Sequence, residues 1–222
     1  MVPKQGRGSP APFFMNFLKI TIFHSAQVNA EGNAMDFREL AENTRSVRRF
    51  RQDRRIPDAD LAHIMGSVRL SPCGANLQLL KFTLVTDEER CAGLFPALNW
   101  AGYLREWNGP SEGERPSAYI IIHIPLEKRS HLPVDAGIAA SYIVLAAREK
   151  GYGSCMIMSM DADAVMKVTG SHEGCRPFLV VALGVPGEEV VLEDAKESIE
   201  YYRDAQGRHH VPKRPLKDIL TD

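Results

Sequence analysis

The sequence has no excess of charge of either sign. Its 222 residues carry 27 Lys and Arg against 28 Asp and Glu, a net charge of -1. That balance argues against a general nucleic-acid or membrane-surface binder, which is usually basic overall. No CxxC pair occurs among Cys73, Cys91, Cys155 and Cys175, so a thioredoxin-type motif or cysteine zinc site is excluded, and four scattered thiols fit a reducing, cytoplasmic setting better than a disulfide framework. The 7 histidines show no metal-ligand spacing with those cysteines, and no metal site is expected. There is no GxxxxGK[ST] loop, no HExxH and no GxSxG elbow. "GYGSCM" lacks the third glycine of a dinucleotide fingerprint and follows a helical pattern rather than a strand. No uninterrupted apolar run is long enough to span a bilayer; the longest candidate, in the first 34 residues, is broken by Asn16 and Lys19.

What is present is an ordinary globular composition, 44% hydrophobic and 25% charged, in a chain long enough for a sizeable core. Residues 1–34 read as an N-terminal extension with little fixed structure. Lys4, Arg7, Ala26 and Ala30 give that stretch a faint signal-peptide character. Residues 35–222 read as one α+β domain. Met35 opens a helical pattern with Phe37, Leu40 and Ala41 on one face, and Leu61, Ile64, Met65 and Val68 fall at helix spacing further on. Pro72 and Gly74 end that second helix, leaving "SPCGANLQ" as loop. "KFTLVTD" reads as a strand with a following turn, and "AYIIIHI" and "FLVVALGVP" as buried strands. Residues 89–117 read as irregular. "VDAGIAASYIVLAAREKG" is a helix apolar almost all round, with Gly151 at its end, and so belongs inside the fold. "CMIMSM" is a short strand or extended segment, "DADAVMKVTG" is a helix opened by Asp and closed by Gly, and "RHHVPKRPLKDIL" is a basic tail that ends with helical spacing. His123, inside an apolar strand, reads as a hydrogen-bonded core histidine.

Positive charge is abundant only locally. In "TRSVRRFRQDRR" six of twelve residues are arginine. Arg45 and Arg48 flank Ser46, and two guanidiniums with a hydroxyl can surround one phosphate. Arg49, Arg51, Arg54 and Arg55 read as a solvated face partly paired with Asp53, Asp58 and Asp60. Asn76 and Gln78 in the glycine loop suit the edge of a planar heterocycle. "GYGSCMIMS" offers backbone N–H groups, and "VPKRP" adds Lys213 and Arg214.

These motifs, in this order from about Met35 to Leu220, resemble the nitroreductase family of FMN-dependent oxidoreductases. The resemblance implies an α+β fold with a central mixed sheet flanked by helices, and a homodimer holding FMN at its interface beside the long apolar helix. Carried over position by position, it implies that Arg45, Ser46 and Arg48 hold the FMN phosphate, ribityl chain and N1–O2 edge. Pro72, Cys73, Gly74 and Asn76 match the loop laid against the partner's flavin, with Gln78 just after it. Met158 and Ser159 match the stretch facing N5 and O4, Asn108 the pyrimidine edge, and Lys213 and Arg214 the phosphate. NAD(P)H is the implied co-substrate of a ping-pong reaction with a small nitroaromatic, quinone or related acceptor. No acid–base catalytic side chain is implied. The alternative is a flavin-binding or flavin-modifying protein without reductase turnover. The sequence departs from the family at Thr44, where a second arginine is common, at Cys73, where serine is common, and at Leu79–Leu80 in place of Pro-Trp.

Overall fold

The computed structural model describes residues 36–127, 129–170 and 172–221. The extension 1–34 and Met35 lie outside them. Four strands form the central sheet in the order β1 (Lys81–Val85), β2 (Ala118–Pro125), β4 (Cys175–Gly184), β3 (Gly153–Ile157). Every pairing in it is antiparallel, with Leu84 opposite Ile120, Ile120 opposite Val181 and Cys155 opposite Ala182. The mixed pairing expected of the sheet occurs instead in a separate small sheet. There β7 (His209–Lys213) pairs in parallel with β5 (Val190–Asp194) and antiparallel with β6 (Tyr202–Arg203).

The continuous apolar runs of β2 and β4 follow from cover on both faces. Along a strand, successive side chains alternate. Ile120, Ile122, Leu179, Val181 and Leu183 therefore enter one core with α2 (Asp58–Arg69) and α4 (Leu132–Glu149). Tyr119, Ile121, Val180 and Ala182 enter a second core with α3 (Glu88–Leu94) and α5 (Ala162–Thr169). Each fully buried isoleucine contributes roughly 1.5–3 kcal/mol by leaving water. His123 lies in this run at 1% exposure. Thr83 Oγ1 is 2.9 Å from its Nε2, and burial together with His172 brings its pKa down to about 4, as befits a neutral core histidine.

The helices end where their chemistry predicts. Asp87 and Asp161 cap α3 and α5 by accepting backbone N–H bonds. Pro133 opens α4, and Gly151, with φ 81°, follows its last turn. Leu61, Ile64 and Val68 of α2 are buried as their spacing predicts. In contrast, α1 (Phe37–Asn43) has no buried residue, and Phe37 on its apolar face is 73% exposed. One stripe of α4 is likewise uncovered: Val134, Gly137, Ser141 and Tyr142 face outward. The stretch expected to be irregular begins with α3 and a 3-10 turn, Phe95–Ala97, and the basic tail contains β7. No helix among the described residues is long and apolar enough to cross a membrane.

Candidate functional site

The arginine segment is threaded between the two sheets. Ser46 bridges Ser154 of β3, and Val47 N donates to the Ser154 carbonyl at 2.9 Å. Three residues on, Phe50 bridges Pro186, Gly187 N donates to the Arg49 carbonyl at 2.8 Å, and Arg51 N donates to the Val185 carbonyl at 2.9 Å. Close approach requires glycine here. A Cβ on Gly153 would stand 2.8 Å from Val47 Cβ, and one on Gly187 would stand 2.8 Å from the Phe50 carbonyl carbon.

Arg45 turns back to donate from Nη2 to the Ala41 carbonyl of α1, while its buried Nε has no protein partner. Burial lowers its pKa from the ordinary value. Thr44, the C-cap of α1, is occupied with the Leu40 carbonyl through Oγ1 at 2.7 Å. Arg48 is 8% exposed. Its Nη1 lies 2.6 Å from His209 Nε2, and its guanidinium carbon stands 4.3 Å from the centroid of the Tyr201 ring. Glu188, with a side chain 2% exposed, accepts from the backbone N–H of both Arg48 and Arg49 and pairs with Arg203 at 2.9 Å. Beneath this segment burial pushes the Cys155 thiol above its usual range, although Arg48 and Ser46 pull the other way.

From this line the strands lead to further expected residues. Met158 and Ser159 follow β3 and are exposed. Ser159 is tied to the next segment, since its carbonyl accepts from Asn99 N at 2.9 Å and its Oγ from Asn99 Nδ2 at 3.1 Å. A cleft of about 370 Å³ opens there, lined by Asn99, Trp100, Arg105, Trp107 and Asn108. Lys213 ends β7, four residues from His209, and Arg214 follows it. Both are exposed and make no ion pair among the described residues. A second cleft, about 380 Å³ around Gln52, Arg55 and Arg115, contains none of the expected site residues.

The loop Pro72–Gln78 belongs to a different neighbourhood, the start of α4. Gly74 N donates to Asp135 Oδ1 at 2.8 Å, and a Cβ on Gly74 would stand 3.0 Å from the His131 ring. Asp135 is 4% exposed and lies in the first turn of α4, where the helix N-terminus favours a carboxylate. Ala75, Asn76 and Gln78 have φ of 48°, 55° and 52°. Left-handed backbone at non-glycine residues costs on the order of 1–3 kcal/mol each and concentrates at binding sites. Pro72 and residues 75–78 of the loop are exposed while Cys73 and Gly74 are half-buried, and the described contacts anchor the loop to α4 rather than to Arg45 or Arg48.

The remaining arginines split otherwise than Asp53, Asp58 and Asp60 would imply. Arg49 lies 3.6 Å from Glu114, and Arg55 donates to the Thr86 carbonyl at 2.8 Å. Asp60 accepts instead from the Tyr152 hydroxyl at 2.6 Å.

The arginine segment thus carries two differently placed side chains, Arg45 turned to the Ala41 carbonyl with its Nε–H orphaned and Arg48 buried against His209 with no carboxylate on its guanidinium, while Lys213 and Arg214 stand exposed at the end of β7; no described contact joins the four. A buried charge of this kind is stable only when paired. Residues 41–185 match the nitroreductase family profile. The chain belongs to the nitroreductase family. An iodotyrosine deiodinase of Thermotoga neapolitana is 26% identical over 168 residues, covering 68% of this chain and 88% of its own length. Among solved structures, the FMN-dependent nitroreductase of Clostridium difficile R20291 aligns with a TM-score of 0.56 and 24% identity, covering 68% of this chain and 87% of that one. A nitroreductase family protein of Streptococcus pneumoniae TIGR4 aligns with a TM-score of 0.62 and 18% identity over 84% of this chain and all of that one.

His209, Tyr201 and Glu188 escape a reading of the sequence. They lie beyond the family match and meet the arginine segment only through the fold. The one signal for them in the sequence is the unusual doublet "HH" following "YYR".

Proposed function

We propose that the protein is an FMN-dependent oxidoreductase that uses NAD(P)H to reduce a small acceptor. The observation that carries this reading is the uncompensated Arg48 guanidinium, set in the family segment between β3 and the small sheet. Arg45, Ser46, Lys213 and Arg214 would hold the phosphate, and Arg48 the flavin edge where negative charge develops. Bound there, FMN supplies the two-electron chemistry. The chain's own contribution is electrostatic: fixed donors, aimed before reaction, favour the charged reduced cofactor without reorganising. Ser159, held by two bonds from Asn99, fixes the wall of the cleft in which an acceptor would lie, with Asn108 on its rim.

We further propose that the functional unit is a homodimer. The uncovered stripe of α4, the exposed Phe37 of α1 and the exposed strained loop at Asn76 and Gln78 are the surfaces a second copy would cover. The loop Pro72–Gln78 would then meet the partner's cofactor rather than its own. A light-scattering mass at twice 24.7 kDa, lost when Tyr142 is changed to Glu, would support this; a monomer that binds FMN at full stoichiometry would refute it.

The purified protein should be yellow and release FMN on boiling. It should oxidise NADH or NADPH when a nitroaromatic or quinone is supplied. A colourless protein that cannot be reconstituted with FMN would overturn the reading. FMN binding without NAD(P)H oxidation would favour a flavin-binding or flavin-modifying protein. A second reading is reductive deiodination, supported by the likeness to the Thermotoga neapolitana deiodinase. It predicts iodide release from iodotyrosine by the reduced protein, measured with an iodide electrode.

A further inference from the structure

We propose that His209 and Tyr201 are positioning residues that clamp Arg48, so that a segment outside the family match sets the direction of a guanidinium inside it. The proposal rests on the FMN reading for what Arg48 would meet, but the clamp itself stands on the contacts alone.

Arginine only donates, through five N–H groups in a fixed plane. Nη1 of Arg48 is 2.6 Å from His209 Nε2, so that nitrogen must accept, and the imidazole must be neutral with its proton on Nδ1. His209 is 0% exposed and its Nδ1 has no partner, so no second group competes to rotate the ring or exchange its tautomer. Tyr201 covers the face of the same guanidinium, 4.3 Å from its centroid, and packs against His209 with ring centroids 5.3 Å apart. The Tyr201 hydroxyl accepts from Tyr103 N at 3.3 Å, which ties the ring to the segment lining the cleft beside Ser159. One edge and one face of the guanidinium are thus fixed, and its other donors keep a set direction.

The partners are also chosen for what they do not do. A carboxylate at the His209 position would neutralise Arg48. A neutral imidazole and an aromatic face orient the cation and leave its charge uncancelled. Glu188 is close, but it is spent on the backbone N–H groups of Arg48 and Arg49 and on Arg203. The residues doing this work, Glu188 to His209, lie beyond residue 185, where the family match ends. The clamp therefore lies in the C-terminal region, outside the matched residues.

Three measurements on the full chain test the clamp. In the unvaried protein at neutral pH, ¹⁵N-detected imidazole correlations should show one histidine locked as the Nδ1–H tautomer; assignment comes from its loss in His209→Phe. Phenylglyoxal labelling of Arg48, read by mass spectrometry on flavin-free protein, should be slow. It should rise about tenfold in His209→Phe and in Tyr201→Leu, and return towards the original rate in His209→Gln, which keeps an acceptor. FMN affinity should fall about tenfold in the first two variants and recover in the third. An Nε2–H tautomer at His209, or labelling unchanged in both variants, would overturn the clamp. Labelling that rises while FMN affinity stays constant would uphold the clamp and overturn the place of Arg48 in FMN binding.

Discussion

The two faces of β7 carry histidines one residue apart, and the fold treats them in opposite ways. On one face His209 is sealed against Arg48 and Tyr201, and burial, reinforced by Arg48, brings its pKa down to about 4. On the other face His210 Nδ1 is 2.9 Å from Glu193 Oε2 and its Nε2 is 3.1 Å from Asp204 Oδ2, with the Tyr202 ring stacked on it at 4.7 Å. Hydrogen bonds to Glu193 and then Asp204 raise the His210 pKa. Burial alone would raise Asp204, but bonds from His210 and Arg208 outweigh it and hold that carboxyl below its usual range. The neighbour's chemistry, not the residue type, sets the proton count. A pure donor beside the ring demands a neutral imidazole, and two pure acceptors demand an imidazolium. One short strand therefore presents a neutral orienting group to the arginine segment and a charged staple to the rest of the small sheet.

The largest way to break this asymmetry is Glu188→Gln. It leaves an acceptor for the backbone of Arg48 and Arg49 but strips the charge facing Arg203. Removing one partner of a buried pair costs about 3–5 kcal/mol, seen as a lower urea midpoint, while the His210 side keeps its own titration. Next comes Gly187→Ala, whose Cβ would meet the Phe50 backbone at 2.8–3.1 Å. Overpacking of that kind costs about 1–3 kcal/mol, and because backbone cannot yield as a side chain does, the FMN affinity should fall with it.

A histidine whose folded pKa lies below its ordinary 6.5 leaves the unfolded chain to take up the proton first. Stability from His209 is thus present above about 6.5 and is lost as pH falls towards about 4. His209→Phe should flatten the acid limb of a stability-against-pH curve by one proton. A residual slope remains from His123, whose pKa is also about 4. His210 has the opposite sign. Its raised pKa gives stability that is full below the ordinary histidine value and fades as pH rises through the folded one. The smallest effect is then His210→Asn. It should lower the melting temperature at acid pH and converge with the unvaried protein at alkaline pH; a constant gap at all pH values would show that the charge of His210 is not what staples the sheet.

The same contrast explains what the sequence discloses. β2, β4, α2, α4 and α5 are legible because each carries a long periodic or continuous apolar signal with a cap or a glycine at its end. α3 is seven residues long with few apolar positions, and β5 and β6 bury no side chain completely, so neither has a pattern to read. β7 includes Pro212, a residue that argues against a strand until its place in the pairing is known. Of the candidate site, the sequence offers Arg45, Ser46 and Arg48 as a local set that could surround an anion, whereas the structure turns Arg45 to the Ala41 carbonyl and Arg48 to His209. Their partners are not legible, since Arg48 and His209 are 161 residues apart in sequence, and no local rule reaches that far. The loop at Gly74 is readable as a loop, but its left-handed Ala75, Asn76 and Gln78 follow from Asp135 and His131, which the sequence does not place beside it.

The threading of Arg48 between the sheets also has a consequence in time. At about 5–20 residues per second of synthesis, His209 emerges roughly 8–30 s after Arg48, given the 161 residues between them. Until then the guanidinium has neither its acceptor nor its aromatic cover, and it stays in water. A nascent chain halted before Tyr201 should fold its central sheet yet fail to retain FMN. On the FMN reading, cofactor capture would wait for the small sheet and so come late in synthesis.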